Sequence, residues 1–359
     1  MTTASTRNWY ANGSVAVLGT GFSLPGPPVG NEQLFDLVAP FAPGLSSRAI
    51  SATARRLAIE TRHISRAFRA RVEAPEPGAR NPELAANAIR IALDEAGLTA
   101  GDLGYLIGHT ATPAQPLPSN IALVADELGY AGPHLELRQA CTGFANALVI
   151  AFGLLTPAGA RPVAIVGSET GSLFFDPARA ATDRDQRVSL VQMGDGAAAI
   201  VLAPSDQGPH RLRASWFGSI GLGKSPGLEM RTGGSDCAAS ASSPLSFSHD
   251  YDRIAETGAG LFEEGLAAAA CQGVTPGTVD WIIPHQANGR IGVQLAAHFD
   301  IPLKKIFVNA HQIGNTGSAA IWLALSQLRA RGLPSGTRVL TLGAEATKYM
   351  HGGFLYEHG

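Results

Sequence analysis

Short runs of small and β-branched apolar residues alternate along the chain with longer segments whose apolar positions recur at helical spacing. "SVAVLGTGFSLP" predicts a buried strand ending in a glycine turn. "NPELAANAIRIALDEAGL" predicts a helix with Asn81 as N-cap and Pro82 at the first helical position. "LGYLIGHTATP" predicts the next strand and "PSNIALVADELGY" a second amphipathic helix. A strand then runs into Cys141, followed by the apolar helix "FANALVIAFGLLTPAG" and the strands "PVAIVGSET" and "DGAAAIVLAP". After a break near residues 205–210, at "APSDQGPH", the rhythm repeats. "HDYDRIAETGAGLFEEGLAAAACQG" is helical, "VDWIIPHQAN" is a strand running into a loop, and "GRIGVQLAAHFD" and "TGSAAIWLALSQLRARG" are helices. "TRVLTLGAEATKYMHGGFLYEHG" predicts two closing strands with a turn between them.

Strands alternating with helices imply α/β layers with sheets covered on both faces. The break divides the chain into halves, 1–205 and 206–359, each carrying a strand-then-helix junction; their similarity as sequences is weak. "RTGGSDCAASASSPLSFSHD" has the composition of a plain surface loop, with a mobile flap as the alternative. The chain has 359 residues, 45% of them hydrophobic and 16% charged, which describes a soluble globular protein with room for two domains. A net charge of −2 gives no reason to expect nucleic acid as a partner. Cys141, Cys237 and Cys271 have no metal-ligand spacing, so neither a metal site nor a disulfide framework is expected. The absence of a secretory pattern and of a long apolar run adds the expectation of a cytoplasmic protein without a membrane span.

Candidate chemistry lies in four places near the C-terminal ends of predicted strands, where open α/β sheets bind ligands. They are Cys141 in "ACTGFA", His285 in "IIPHQAN", Asn315 in "QIGNTGSAA" and the turn at Gly343 in "TLGAEA". Singly, each has a bland reading. A free cysteine is commonly packing, His285 a satisfied structural histidine, and Asn315 a turn or cap residue. Together they suffice, without a cofactor, for thioester chemistry. A thiolate favoured by a helix N-terminus takes an acyl group. An imidazole and an amide then donate to an enolate oxygen, while backbone N–H groups near Cys141 and Gly343 hold an oxyanion.

The order Cys, "PHQAN", "GNTGSAA", with "VLGTGFSLP", "IETRHI" and "MGDGAAAIVL", resembles the ketoacyl synthase III family of the thiolase superfamily over essentially the whole chain. The resemblance implies a five-layered α-β-α-β-α fold of two related halves and a homodimer. It implies Cys141 as the acylated nucleophile, with His285 and Asn315 serving decarboxylation and condensation. Substrates would be acyl-CoA or acyl-[acyl carrier protein], used in fatty acid or polyketide biosynthesis. Arg290 matches a position where relatives dock the acidic carrier, although the helix after it lacks the lysines often found there. Leu117 matches a place where a bulky aromatic often enters the partner's acyl pocket, so a leucine implies a roomier pocket. The alternatives are a solvated arginine and ordinary dimer packing.

Two features depart from primary-metabolism members. "GAEATKYMHGGF" stands where a glycine-rich turn followed by Thr-Trp is usual, and it places Glu345 near the site; Glu169 ends the strand "VAIVGSE". Each carboxylate is a candidate acid/base for further proton transfers, or a structural group satisfied by backbone donors. These departures are similar to the ketosynthase/cyclases of specialised metabolism that form resorcinol-type rings. A competing activity on this fold, transfer of the acyl group to an alcohol or amine, tends to replace the asparagine, so Asn315 favours condensation. A non-catalytic dimer partner would lack the nucleophile.

Overall fold

The computed structural model describes residues 7–69, 75–238 and 247–359. Among these, ten strands form one hydrogen-bonded system: β1 (Trp9–Tyr10), β2 (Ser14–Ser23), β3 (Tyr105–His109), β4 (His134–Leu137), β5 (Val163–Glu169), β6 (Gly196–Pro204), β7 (Arg211–Ser219), β8 (Trp281–Pro284), β9 (Arg338–Glu345) and β10 (Met350–Glu357). The helices are α1 (Asn31–Val38), α2 (Ser47–Leu57), α3 (Asn81–Ala96), α4 (Asn120–Leu128), α5 (Gly143–Leu154), α6 (Arg184–Gln192), α7 (Tyr251–Cys271), α8 (Ile291–Phe299) and α9 (Ala320–Arg329), with shorter turns between.

The strand path repeats. In the first half β4, β3 and β5 are parallel neighbours, followed by antiparallel β6 and then antiparallel β2. In the second, β8 and β9 are parallel, followed by antiparallel β10 and then antiparallel β7. Ile306 makes a parallel bridge to Ile282 of β8, in the place β4 takes beside β3. The two sheets join where Ser14–Ala16 of β2 pairs with β7.

Helix α5 touches β3 and β5 of one sheet and β7 and β10 of the other, while α9 touches β2, β6 and β8. These two helices therefore form a layer between the sheets. Helix α3 covers the outer face of the first sheet and α7 that of the second, which gives five layers. The layering explains why the strands read as unbroken apolar runs. Along β5, Val163 and Ile165 face the central core with Phe144 and Trp322, whereas Ala164 and Val166 face the outer core with Ile89. In β10, Phe354 and Tyr356 point inward and Leu355 outward. The glycines of "VLGTGF" lie within β2 and form no turn. A Cβ on Gly19 would sit 2.1 Å from the Ala92 carbonyl oxygen, so α3 rests directly on the strand backbone.

The cap of α3 is a further local expectation that needs correction. Asn81 is the first residue of α3, and Arg80 precedes it as the cap. The Asn81 carboxamide turns inward, donating to the Thr112 carbonyl (2.8 Å) and accepting from Asn120 (2.7 Å) and Ser168 (2.6 Å). The segment before "MGDGAAAIVL" contains α6, started by the Asp183 side chain, which accepts from the N–H groups of Asp185 and Gln186. The loop predicted at 231–250 lies outside the described residues over 239–246. Just beyond it, Ser248–His249 pairs with Leu228–Glu229. Cys237 and Cys271 are free and exposed. No described helix is long and apolar enough to cross a membrane.

Phe144 is fully buried and meets Trp322 (5.6 Å) and Phe354 (5.8 Å) edge to face, joining both halves. Phe144→Ala should lower the stability to urea unfolding by ~3–5 kcal/mol. A loss below ~1 kcal/mol would mean that this contact does not hold the halves together.

Candidate active site

A cavity of about 510 Å³ opens among the loops above α5 and α9, and Cys141, His285, Asn315 and Glu345 all line it. Much of the rest of its wall is apolar, including Leu57, Leu228, Ile254 and Phe262. Cys141 follows β4 in the turn that starts α5, with Thr142 in the cap position. Burial pushes its thiol well above the ordinary value; the carboxylates of Glu345 and then Glu169 add to this, and the residue's own N–H opposes it.

His285 directly follows β8, and its N–H donates to the Leu342 carbonyl of β9 (2.7 Å). Burial lowers its pKa to about 4, so the imidazole is neutral near pH 7. Its Nδ1 is buried without a partner among the described residues. The adjacent Gln286 ties this loop to the segment that leads to Asn315. Its Oε1 accepts from Asn309 N (2.8 Å) and Ala310 N (3.0 Å), and its Nε2 donates to Phe307 O (3.1 Å).

Asn315 does not end a strand, as its sequence neighbourhood suggests. It follows a single helical turn (Ala310–Ile313) and pairs through its backbone with Met193. Its N–H donates to the Gln192 carbonyl (2.8 Å) and its carbonyl accepts from Gly194 N (3.0 Å). The side-chain Oδ1 accepts from the Gly317 N–H (3.0 Å). A backbone N–H can only donate, so this bond fixes the amide orientation and leaves Nδ2 as the group available to the cavity.

Glu169 and Glu345 occupy matching positions, each at the end of the equivalent strand of its half, and each caps the central helix of the opposite half. Glu345 Oε2 accepts from the Thr142 N–H and hydroxyl (both 2.8 Å), and Oε1 accepts from the Thr347 hydroxyl. Glu169 Oε2 accepts from the Ser318 N–H (3.1 Å) and hydroxyl (2.7 Å), and Oε1 accepts from the Thr112 hydroxyl. Burial raises the pKa of Glu169, and those hydrogen bonds oppose the rise. Gly317, with φ +50°, leaves room for this carboxylate, because a Cβ there would lie 2.6 Å from Glu169 Oε2.

Glu169 does not line the cavity, and its carboxylate is held by backbone and hydroxyl donors, the structural alternative to the acid/base role. Glu345 does line it, with both oxygens engaged. The Thr142 N–H at the start of α5 is committed to Glu345, which offsets the help expected for a thiolate from that helix end.

The remaining expected residues lie elsewhere. Gly343 is inside β9 opposite Gly352 and does not line the cavity. A Cβ there would meet the Phe144 ring at 2.6 Å, so the glycine serves packing. Leu117 is 84% exposed and outside the cavity. The Arg290 guanidinium donates to the carbonyls of Arg56 (2.9 Å) and Arg55 (3.1 Å) at the end of α2. His109 ends β3 as His285 follows β8; its ring is buried under Gly143, and burial lowers its pKa to about 3. Sequence reasoning missed it, and also Gln192, His249 and Tyr251 of the cavity wall.

The rate of Cys141 alkylation by iodoacetamide should rise with pH through a midpoint above that of an ordinary cysteine, because only the thiolate reacts. Glu345→Gln should move that midpoint down by removing a negative charge. A wild-type midpoint at or below the ordinary value would refute this electrostatic picture.

The description "3-Oxoacyl-[acyl-carrier-protein (ACP)] synthase III" fits residues 135–221 of the chain, and its C-terminal counterpart fits residues 269–355. The beta-ketoacyl-[acyl-carrier-protein] synthase III of Cereibacter sphaeroides is 31% identical over 325 residues, covering 88% of this chain and 90% of that protein. Among solved structures, the tetronic acid condensing enzyme AbyA1 superposes with a TM-score of 0.84 at 26% identity, covering 96% of this chain and 99% of the other. The priming β-ketosynthase of the R1128 polyketide pathway gives 0.79 at 27%, covering 97% of each chain. The doubled strand path with paired central helices is thus the thiolase fold. With relatives of this identity along nearly its full length, the chain belongs to the beta-ketoacyl-[acyl-carrier-protein] synthase III family of condensing enzymes.

Proposed function

We propose that Cys141 accepts an acyl group from an acyl-CoA or acyl-[acyl carrier protein], and that a second acyl thioester then condenses with it. The observation that carries this reading is the convergence of a thiol, a neutral imidazole and an amide of fixed orientation on one cavity. In the first step the Cys141 sulfur attacks the thioester carbonyl. The carrier's C–S bond breaks, and the thiol proton leaves with the carrier sulfur. In the second, loss of carbon dioxide from a malonyl-type thioester, or transfer of an α-proton to water, gives an enolate. The His285 ring N–H and Asn315 Nδ2 donate to its oxygen. The carbanion attacks the acyl carbonyl and breaks its bond to sulfur, releasing the Cys141 thiolate, which takes a proton from solvent. A neutral imidazole suits this task, because it donates a hydrogen bond without needing a protonated form at pH 7.

The repeated strand path supports residues 1–205 and 206–359 as two related halves, with the nucleophile in the first and His285 and Asn315 in the second. Exposed Arg55, Arg56 and Arg290 gather at the end of α2, beside Leu57 of the cavity wall. That arrangement suits the phosphates of coenzyme A or an acidic carrier, although the Arg290 head group is already tied to α2. Exposed Leu117 suits a subunit contact in a cytoplasmic homodimer.

Cys141→Ala should abolish the acyl mass gained on incubation with acyl thioesters, read by intact-protein mass spectrometry. Acylation at the wild-type rate would overturn the assignment. Asn315→Asp should still load the acyl group but lose condensation by roughly a hundred- to a thousandfold, because a carboxylate repels the enolate that the amide stabilises. Condensation within about tenfold of wild type would count against that role.

A further inference from the structure

The cavity carries a second polar group of residues that the condensation steps do not use. His249 and Tyr251 line it with their rings stacked (centroids 4.9 Å apart), and Gln192 lines it beside them. Ser189, buried behind them, contacts His249 Nδ1 at 2.9 Å and the Tyr251 hydroxyl at 3.2 Å. The Tyr251 hydroxyl donates to Gln192 Oε1 at 2.9 Å. Gln192 also holds Asn315 through its backbone carbonyl, so this group stands next to the reaction centre. The Gln186 side chain fixes the segment by donating to the Phe247 carbonyl (2.7 Å), and Asp250 caps the start of α7.

One order of protons makes all three bonds. Tyr251 gives its proton to Gln192, so Ser189 must give its own to the Tyr251 oxygen, and His249 must donate from Nδ1 to Ser189. Burial lowers the His249 pKa to about 4, so the neutral ring has no second proton. Its Nε2 is therefore an acceptor, and the ring's one hydrogen bond among the described residues is made by Nδ1. The ring is part of the cavity wall and is half-buried.

We infer that His249 Nε2 receives a hydroxyl group carried by an acyl substrate, so that the enzyme is selective for hydroxyacyl thioesters over plain ones. A saturated chain lying against His249 would leave this acceptor desolvated and unpaired, whereas an O–H along the chain would satisfy it. This inference rests on the proposed acylation of Cys141. An amide N–H of the substrate's pantetheine arm offers the same donor chemistry. It is common to every coenzyme A thioester, so it cancels when chains are compared on that one carrier.

The test compares hexanoyl-CoA and decanoyl-CoA with their mono-hydroxylated isomers, reading kcat/KM for Cys141 acylation by intact mass. At least one isomer should load about tenfold or more faster than its plain parent. That ratio should fall to near one in His249→Phe, which keeps the stack on Tyr251. It should persist in His249→Gln, whose Oε1 restores an acceptor. Tyr251→Phe removes the bonds that set the order of protons and should also reduce the ratio; it serves as the second variant if His249→Phe does not fold. Loading of plain chains with no preference for any hydroxylated isomer would overturn the inference alone. A His249→Phe protein slowed equally on every thioester, with its ratio intact, would assign His249 to the pantetheine amide and also overturn it. No acyl mass at Cys141 from any thioester would overturn the acylation reading, and the inference with it.

Discussion

The architecture turns on a reciprocal pair of hydrogen-bonded carboxylates. The strand-end glutamate of each half caps the central helix of the other: Glu345 at Thr142 and Glu169 at Ser318. The two N–H groups lie in the turns that lead into the buried central helices, where each buried donor needs an acceptor. A carboxylate supplies the acceptor and suits the positive end of the helix dipole. Because each cap crosses from one half to the other, it also registers the Cys141 turn against the segment that carries Asn315.

This arrangement has a direct electrostatic consequence. The two carboxylates that order the site also push the thiol toward its protonated form, in the same direction as burial. The neighbouring imidazole is neutral for the same reason of desolvation. Burial therefore favours a thiol and a neutral ring in the one cavity over a thiolate–imidazolium pair. In the proposed mechanism the thiol proton leaves with the departing carrier sulfur. A neutral ring and a fixed amide then remain as donors for the enolate.

The apolar cavity wall and its polar insert divide the remaining work. Leu228, Ile254 and Phe262 provide surface for an acyl chain without specifying its functional groups. The chain from His249 through Ser189 and Tyr251 to Gln192 places a directional acceptor in that surface and shares Gln192 with Asn315. Gln192 thus accepts from Tyr251 through its side chain and from the Asn315 N–H through its backbone carbonyl.

Much was legible in the sequence because it is encoded locally. Strand and helix periods and the motifs around Cys141, His285 and Asn315 all depend on residues close together in the chain. The glycines of β2 were visible but misread as a turn, since only the approach of α3 explains them. Asn81 looked like a cap because its sequence context is that of one, yet buried partners at Thr112, Asn120 and Ser168 drew its side chain inward. Which helix turns Glu169 and Glu345 hold could not be read locally, because Ser318 and Thr142 lie 149 and 203 residues away from them. His249 and Tyr251 gave no motif, since their partners come from α6. The sequence by itself determined which elements form and which reactive groups exist, through short-range periodicity and residue chemistry. Only the tertiary structure decided which of those groups share a cavity and which are consumed as caps, because burial and hydrogen-bond saturation are set by contacts between distant segments.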